Sequence, residues 1–301
     1  MKRILFFTIF AFVTLAALFT YQYFKFHDGK LHIVFCDVGQ GDGILIITPS
    51  NKHIMIDAGP DSKIIDCLSE HMAFWERVID VAIITHPHAD HFMGYYYVID
   101  RYRIDQFATE ALSNKSAGFE GLMKRIDERG IPKQLVYKGD RWRVPSYAKA
   151  SDGKGDVIIA IAGPTKEFLE RKDPDGVIDN SAESASLATL VGYGNFSALL
   201  TGDAPVDEMQ EIAEGEIGEI GEIRGLDILQ IPHHGSNTGI DEGVLDELAP
   251  HMAIISVGKN SYGHPTKRVL DLLAERGIKP LRTDQLGDIE LVSDGKNTWL
   301  N

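Results

Sequence analysis

The chain opens on an unbroken apolar run. From Ile4 to Phe24 no residue is charged, and only Lys2 and Arg3 precede it. Beyond Leu31 the pattern changes to short apolar runs separated by turns rich in glycine and aspartate. "LHIVFCDVGQGDGILIIT" reads as strand, Gly-rich turn, strand, and "NKHIMIDAG" as a hairpin arm ending in an acidic turn. "KIIDCLSEHM" has helical spacing, with Ile64, Ile65, Leu68 and Met72 on one side. "VIDVAIITH" is apolar on both faces, the mark of a fully buried strand. In the middle, "FEGLMKRIDERG" predicts a helix stopped at Gly130-Ile131-Pro132, and "VIIAIAGP" predicts a strand. "SDGKGD" (Ser151–Asp156) reads as a tight turn and "RKDPDGVIDNSAESAS" as a loop. "SLATLVGYGNFSALLTGDA" is strand, turn, strand, acidic turn. Glu211–Glu222, with its "EIGEIGEI" echo, reads as a solvated acidic helix weakened by glycines. Strands follow at "LDILQIPHHGS" and "HMAIISVG", then an amphipathic helix, "TKRVLDLLAERG", and a hairpin around Asp294-Gly295. No linker after residue 30 divides the chain. The expected organisation is a stem at residues 1–28 and one α/β domain at 29–301.

About 20 apolar residues suffice to cross a bilayer, and Tyr21, Tyr23 and Phe24 suit its far interface. An uncleaved single-pass anchor is the preferred reading. A cleaved signal peptide, which would leave the protein secreted, is the rival. By the positive-inside rule Lys2 and Arg3 stay in the cytoplasm and the domain lies outside it.

A formal net charge of -14 argues against broad, charge-driven binding to nucleic acid. Only a local basic strip around Lys124, Arg125, Arg141 and Arg143 could support a nucleic-acid track. The two cysteines carry no metal-site spacing. Cys36 sits in an apolar run and reads as a small buried hydrophobe, with a single Cys36–Cys67 bridge the alternative outside the cytoplasm.

The chemistry gathers at the ends of apolar strands. Asp57 follows "HIMI"; His86, His88, Asp90 and His91 follow "VAII"; Asp203 follows "SALLTG"; His233 and His234 follow "LDILQIP". Strand ends on one edge of a sheet can converge, and imidazole with carboxylate suits zinc and similar first-row metals. In H-x-H-x-D-H spacing His86 and His88 reach one ion, Asp90 and His91 turn toward a second, and Asp203 bridges. His234, directly before Gly235, is the expected ligand of its pair, with His233 orienting its neighbours or touching substrate. Asp57 is expected to hold the histidine loop by hydrogen bonds rather than to bind metal. His27, His32, His53, His71 and His251 fall in no pattern and read as surface or core residues.

These residues resemble the metallo-β-lactamase fold superfamily, and more closely its ComEC/Rec-type competence hydrolase branch. The carrying stretches are "DVGQGDGILI", "IMIDAG", "ITHPHADHFMG", "SLATLVGYGNFSALLTGD", "LQIPHHGS", "ISVGKNSYGHP" and "LRTDQLGDIEL", spanning roughly Leu31 to the C-terminus. The resemblance implies a four-layer αββα sandwich with metals at one edge and a metal-dependent hydrolase. In ComEC proteins this domain is attached to a multi-span DNA-uptake channel and is thought to degrade the strand not transported. This chain has a single hydrophobic segment, so DNA uptake is not carried over. Two departures bear on the metal. The superfamily's further metal histidine between H-x-H-x-D-H and Gly-Asp is missing, since no histidine falls from Phe92 to Pro232; Asn180, Ser184 or Ser186 stands in that region. Many ComEC relatives carry Asp where this chain has His88, which favours zinc. One or two Zn2+ ions are expected, with Mn2+ the alternative. By resemblance, Asp37, Gln40 and Asp42 in the Gly-rich turn face the site, the rival reading being a hairpin without a catalytic role. His264 of "YGHP" contacts a phosphate or protonates the leaving oxygen, the rival being a structural turn histidine.

The expected function is therefore hydrolysis of phosphodiester bonds outside the cytoplasm, on single-stranded DNA or a nucleotide, with Asp90 also orienting the attacking water. An amide or ester hydrolase of β-lactamase type and a non-catalytic assembly protein that kept the fold are the alternatives.

Overall fold

The computed structural model describes residues 2–146, 155–178, 184–217, 221–222 and 225–301. Two mixed sheets lie face to face. The first has eight strands in the spatial order Thr298–Leu300, Ile289–Ser293, Leu31–Phe35, Gly43–Ile47, His53–Ala58, Val81–Ile84, Phe107–Thr109, Lys133–Leu135. The second has seven: Arg141–Val144, Val157–Gly163, Ala188–Tyr193, Phe196–Leu200, Ile228–Gln230, Met252–Ile255, Pro280–Arg282.

Strand periodicity builds the layers. Alternate side chains point to opposite faces, so Ile33 and Phe35 face the second sheet while Val34 faces the helices. Ile33, Ile46, Ile56 and Ile83 meet Ile159, Ile161, Val191 and Leu200 between the sheets. The outer face of the first sheet, with Leu45, Met55 and Ala82, packs on Ile64 and Leu68 of helix Lys63–His71 and on Phe119, Leu122 and Ile126 of helix Ala117–Glu128. The outer face of the second sheet is covered likewise by helices Val206–Ala213, Glu242–Leu248 and Lys267–Glu275. The result is the expected αββα sandwich.

Helix Lys2–Phe26 stands apart, with no buried residue. At 1.5 Å per residue it is about 37 Å long, enough for a hydrocarbon core of about 30 Å. It is the one helix among the described residues long and apolar enough to cross a membrane. Phe19 stacks on Trp75, ring centroids 4.5 Å apart.

Three sequence expectations change. Cys36 is not a free hydrophobe: it is bonded to Cys67, tying the first strand to helix Lys63–His71. The expected acidic helix over Glu211–Glu222 is not formed. The helix ends at Ala213, and the backbone of Glu216–Ile217 pairs antiparallel with Gly221–Glu222. Each interior glycine would cost a helix about 1 kcal/mol. The turn expected at Ser151–Asp156 falls mostly outside the described residues.

His32 and His71 also have partners. His32 Nε2 lies 3.0 Å from Asp28 and Nδ1 lies 2.8 Å from Glu290 in a C-terminal strand; His71 reaches Asp288 at 3.2 Å. Burial works against a charged His32, but the hydrogen bonds to Asp28 and Glu290 outweigh it and raise its pKa to about 9. A raised imidazole stabilises the fold fully below its unfolded value and loses that contribution as pH rises through the folded one. Thermal stability of the full chain in detergent is therefore expected to fall between about pH 6.5 and 9, by on the order of 2 kcal/mol. His32→Gln should flatten that slope; an unchanged slope would show the cluster to be solvent-screened.

Candidate metal centre

The parallel part of each sheet ends at the same edge. In the first sheet Ile56 pairs with Ile83, which brings Asp57 alongside the start of the histidine loop. In the second, Leu199 pairs with Leu229, so the turn carrying Asp203 runs beside the turn carrying His233. A hydrogen bond from His233 N–H to Gly202 O (3.1 Å) fixes that register, and Leu187 N–H to Thr85 O (2.9 Å) joins the two sheets. The donors His86, His88, Asp90, His91, Asp203 and His234, far apart in sequence, thus meet at one point.

They fall into two triads, His86–His88–Asp203 and Asp90–His91–His234, the ligand atoms of each within 4.8 Å of one another. Asp203 joins them. Its carboxylate lies 3.8 Å from His86 Nε2, 3.4 Å from His91 Nε2 and 3.6 Å from His234 Nε2. His91 Nε2, His234 Nε2 and Asp203 Oδ1 are buried yet make no hydrogen bond. A buried donor or acceptor left unpaired costs about 1–3 kcal/mol. Several aimed at one another across 3.4–3.6 Å fit a cation between them. The donor set fits the implied divalent metals.

A surrounding shell sets the ring orientations. Asp57, fully buried, accepts from Thr85 N–H at 2.9 Å, from Thr85 Oγ1 at 2.6 Å and from His91 Nδ1 at 2.7 Å. That bond leaves His91 Nε2 free toward the triad. His234 Nδ1 donates to Ser256 O at 2.9 Å and so presents Nε2 in the same way. Burial, with the charge of His91 beside it, holds His86 well below the usual imidazole range and keeps it neutral. Burial would raise Asp203, but the facing charges of His91 and His234 hold it well below the carboxylate range. Asp57, His233 and His234 all have positive φ, at 55°, 52° and 54°. Left-handed backbone outside glycine costs on the order of 1–3 kcal/mol and collects at functional sites.

The other expected residues sort by geometry. Asp42 is 2% exposed; its Oδ2 accepts from Gln230 Nε2 at 2.8 Å and its Oδ1 lies 3.5 Å from His234 Nδ1. It stands behind His234, closed to solvent, which corrects its expected place as a catalytic group facing substrate. Asp37 is partly exposed, and one of its carboxylate oxygens accepts Gly39 N–H at 3.2 Å and so shapes the Gly-rich turn. His233 is partly exposed, Nε2 3.8 Å from Asp203. His264 stacks edge-on against it at 5.6 Å. Asn180 lies outside the described residues. In the stretch that lacks the family's middle histidine, Ser186 Oγ accepts Asp203 N–H at 3.1 Å and sits 3.3 Å from His86 Nδ1, so it braces two donors.

Sequence reasoning passed over Thr85, Gln230 and two wholly buried carboxyls, Glu110 and Glu208. Burial pushes both carboxyls well above the usual range, and Glu208 accepts Ser186 N–H at 3.1 Å. Thr85 had a signal, its place directly before His86; the others had none. The suggested basic strip does not hold as a free cationic surface, for Arg125 pairs with Asp100, Lys124 with Glu128 and Arg143 with Asp156.

Residues 36–243 match the model of the metallo-beta-lactamase superfamily. ComE operon protein 3 of Bacillus subtilis is 26% identical over 87% of this chain and 33% of its own length. Competence protein ComA of Neisseria gonorrhoeae is 27% identical over 93% of this chain and 35% of its own. The chain thus spans about a third of the length of these relatives. Among solved structures, CmlA, a diiron beta-hydroxylase from Streptomyces venezuelae, shares the fold at a TM-score of 0.52 and 14% identity, over 90% of this chain and 54% of its own. With donors, shell and motif order all in agreement, the chain belongs to the metallo-β-lactamase superfamily, in the branch of the ComEC/Rec-type competence proteins.

Proposed function

We propose that this protein is a metal-dependent hydrolase of phosphodiester bonds in DNA or nucleotides, with residues 29–301 forming a catalytic domain held outside the cytoplasm by a membrane anchor within residues 1–28. The carrying observation is the pair of donor triads sharing Asp203. His86, His88 and Asp203 would hold one cation and Asp90, His91 and His234 the other, with the Asp203 carboxylate within 3.4–3.8 Å of imidazoles of both groups. Four imidazoles among six donors suit Zn2+ better than Mg2+ or Ca2+, with Mn2+ the alternative. Divalent cations held there supply Lewis acidity toward water and a phosphoryl oxygen.

The chain's own residues supply the order. Asp57 and Thr85 lock His91, Ser256 locks His234, and Ser186 braces His86 and Asp203. Asp90, partly exposed, is the donor best placed to orient water as well. His233, partly exposed and 3.8 Å from Asp203, and His264, packed edge-on against it, are the side chains we assign to contact substrate oxygens. The competence proteins among the relatives support DNA as the substrate. The Cys36–Cys67 bridge supports an oxidising, extracytoplasmic setting.

The test takes the full chain in detergent, analyses its metal content, and assays labelled single-stranded DNA with zinc, with manganese and with chelator. Metal-dependent cleavage that disappears in Asp90→Ala is the expected result. Bound metal with cleavage of amides or esters alone would move the reading to a β-lactamase-type hydrolase, and a protein that binds no metal would be an assembly factor.

A further inference from the structure

Beside the donors stands a turn built to hold an aromatic ring in solvent. Tyr262 is 74% exposed, more than any other large apolar side chain among the described residues, the N-terminal helix included. An exposed tyrosine on a loose loop would mean little. This loop is not loose. Asn260 Oδ1 accepts three backbone N–H groups, from Tyr262, Gly263 and His264, at 3.1, 2.9 and 3.1 Å. Its Nδ2 donates to Gly258 O and His264 O, both at 2.9 Å. One side chain thus closes the whole turn from both ends. The turn also docks on the metal-centre loop: Thr266 N–H donates to Gly235 O at 2.9 Å, and a Cβ on Gly235 would lie 2.6 Å from Pro265.

From this frame the rings step outward. His233 lies 3.8 Å from Asp203, His264 is 5.6 Å from His233, and Tyr262 is 5.8 Å from His264 with the two planes 31° apart. Two lysines stand on the adjoining segments. Lys259 is exposed next to Gly258, which packs on the backbone of Gly39 and Gln40, and Lys63 Nζ lies against Gly39. On a chain of net charge -14, a lysine three residues before this aromatic and a second against the Gly-rich turn beneath Gly258 match an anionic substrate bearing planar groups.

We infer that Tyr262, with His264 beneath it, is a stacking platform for a base of single-stranded nucleic acid, and that Lys63 and Lys259 hold the adjoining phosphates. This deepens the proposed function and rests on it for the identity of the substrate. Base–aromatic stacking tolerates every base, so the platform gives affinity for single strands without sequence preference.

The test separates binding from turnover. A labelled oligothymidylate and a matching oligomer of abasic residues are titrated against the full chain in chelator, where no cleavage occurs. Wild type should bind the base-bearing oligomer more tightly. Tyr262→Ala should lose about 5- to 100-fold on that oligomer and nothing on the abasic one, and Tyr262→Trp should restore the difference. Lys63→Ala with Lys259→Ala should weaken both oligomers alike. Equal affinity of wild type and Tyr262→Ala for the base-bearing oligomer overturns the platform, whatever the cleavage assay gives. A platform that binds bases on a protein that cleaves no phosphodiester overturns the hydrolase reading alone.

Discussion

Asp203→Ala is expected to cost about a thousandfold or more in kcat/KM, roughly 4 kcal/mol of transition-state stabilisation, and to lower the metal content of the purified protein. The carboxylate is 9% exposed and lies within 3.4–3.8 Å of nitrogens on His86, His91, His233 and His234. Its removal takes a donor from both proposed cations and the shared negative charge from between the imidazoles. Asp203→Asn keeps the volume and one oxygen, so the fold and the Ser186-to-Asp203 brace survive while the charge is lost. If charge and ligation are what matter, both variants are inactive, and the Asp203→Asn variant melts near wild type in chelator. A variant retaining activity within about tenfold, roughly 1.4 kcal/mol, and its full metal content would reduce Asp203 to an ordinary turn residue after Thr201-Gly202. With no histidine between Phe92 and Pro232, no further imidazole from that stretch stands by to replace the missing donor.

The legible part of this site was local. H-x-H-x-D-H, Asp203 and the His233-His234 pair each sit within a few residues of an apolar strand end, and hydrophobic patterning locates strand ends. The sandwich was legible for the same reason, because isoleucine and valine alternate along strands that need two different cores. What stayed hidden depends on contacts between remote segments. Asp42 looked like a substrate-facing acid in a glycine turn; Gln230, 188 residues away, claims one of its oxygens and closes it inside. His32 fell in no pattern because one of its two partners, Glu290, is 258 residues on. Cys36 and Cys67 are 31 residues apart, and nothing in either neighbourhood signals the bond. Glu110 and Glu208 defeat composition rules altogether, since the burial that raises both carboxyls comes from tertiary packing. The helix expected through "EIGEIGEI" ends at Ala213, before the repeated glycines, each of which would cost a helix about 1 kcal/mol.

Gly41→Ala carries the second large expectation, and it reaches the donors through backbone alone. Gly41 has φ +139°, and a Cβ there would lie 2.2 Å from Asp90 O. That carbonyl also accepts the N–H of Asp42 at 3.3 Å. The Gly-rich turn of the first hairpin therefore rests directly on the peptide that separates Asp90 from His91. Adding one methyl group must move one loop or the other, and the sheet holds both. The cost is expected to be about 2–5 kcal/mol of stability, combining left-handed backbone strain with overpacking. A displacement near 1 Å at a catalytic loop lowers rates by about a hundredfold, so the folded fraction should also lose activity and bind metal more weakly. Gly139→Ala separates the two effects. It has φ +99° but is exposed with nothing within 4 Å of its Cβ position, so it bears backbone strain alone, about 1 kcal/mol. A larger melting shift in Gly41→Ala than in Gly139→Ala, with a metal defect only in the former, would show that the glycine turn positions Asp90. Matching shifts with normal metal binding would show slack between the loops, and the three glycines of "GQGDG" would then serve the hairpin alone.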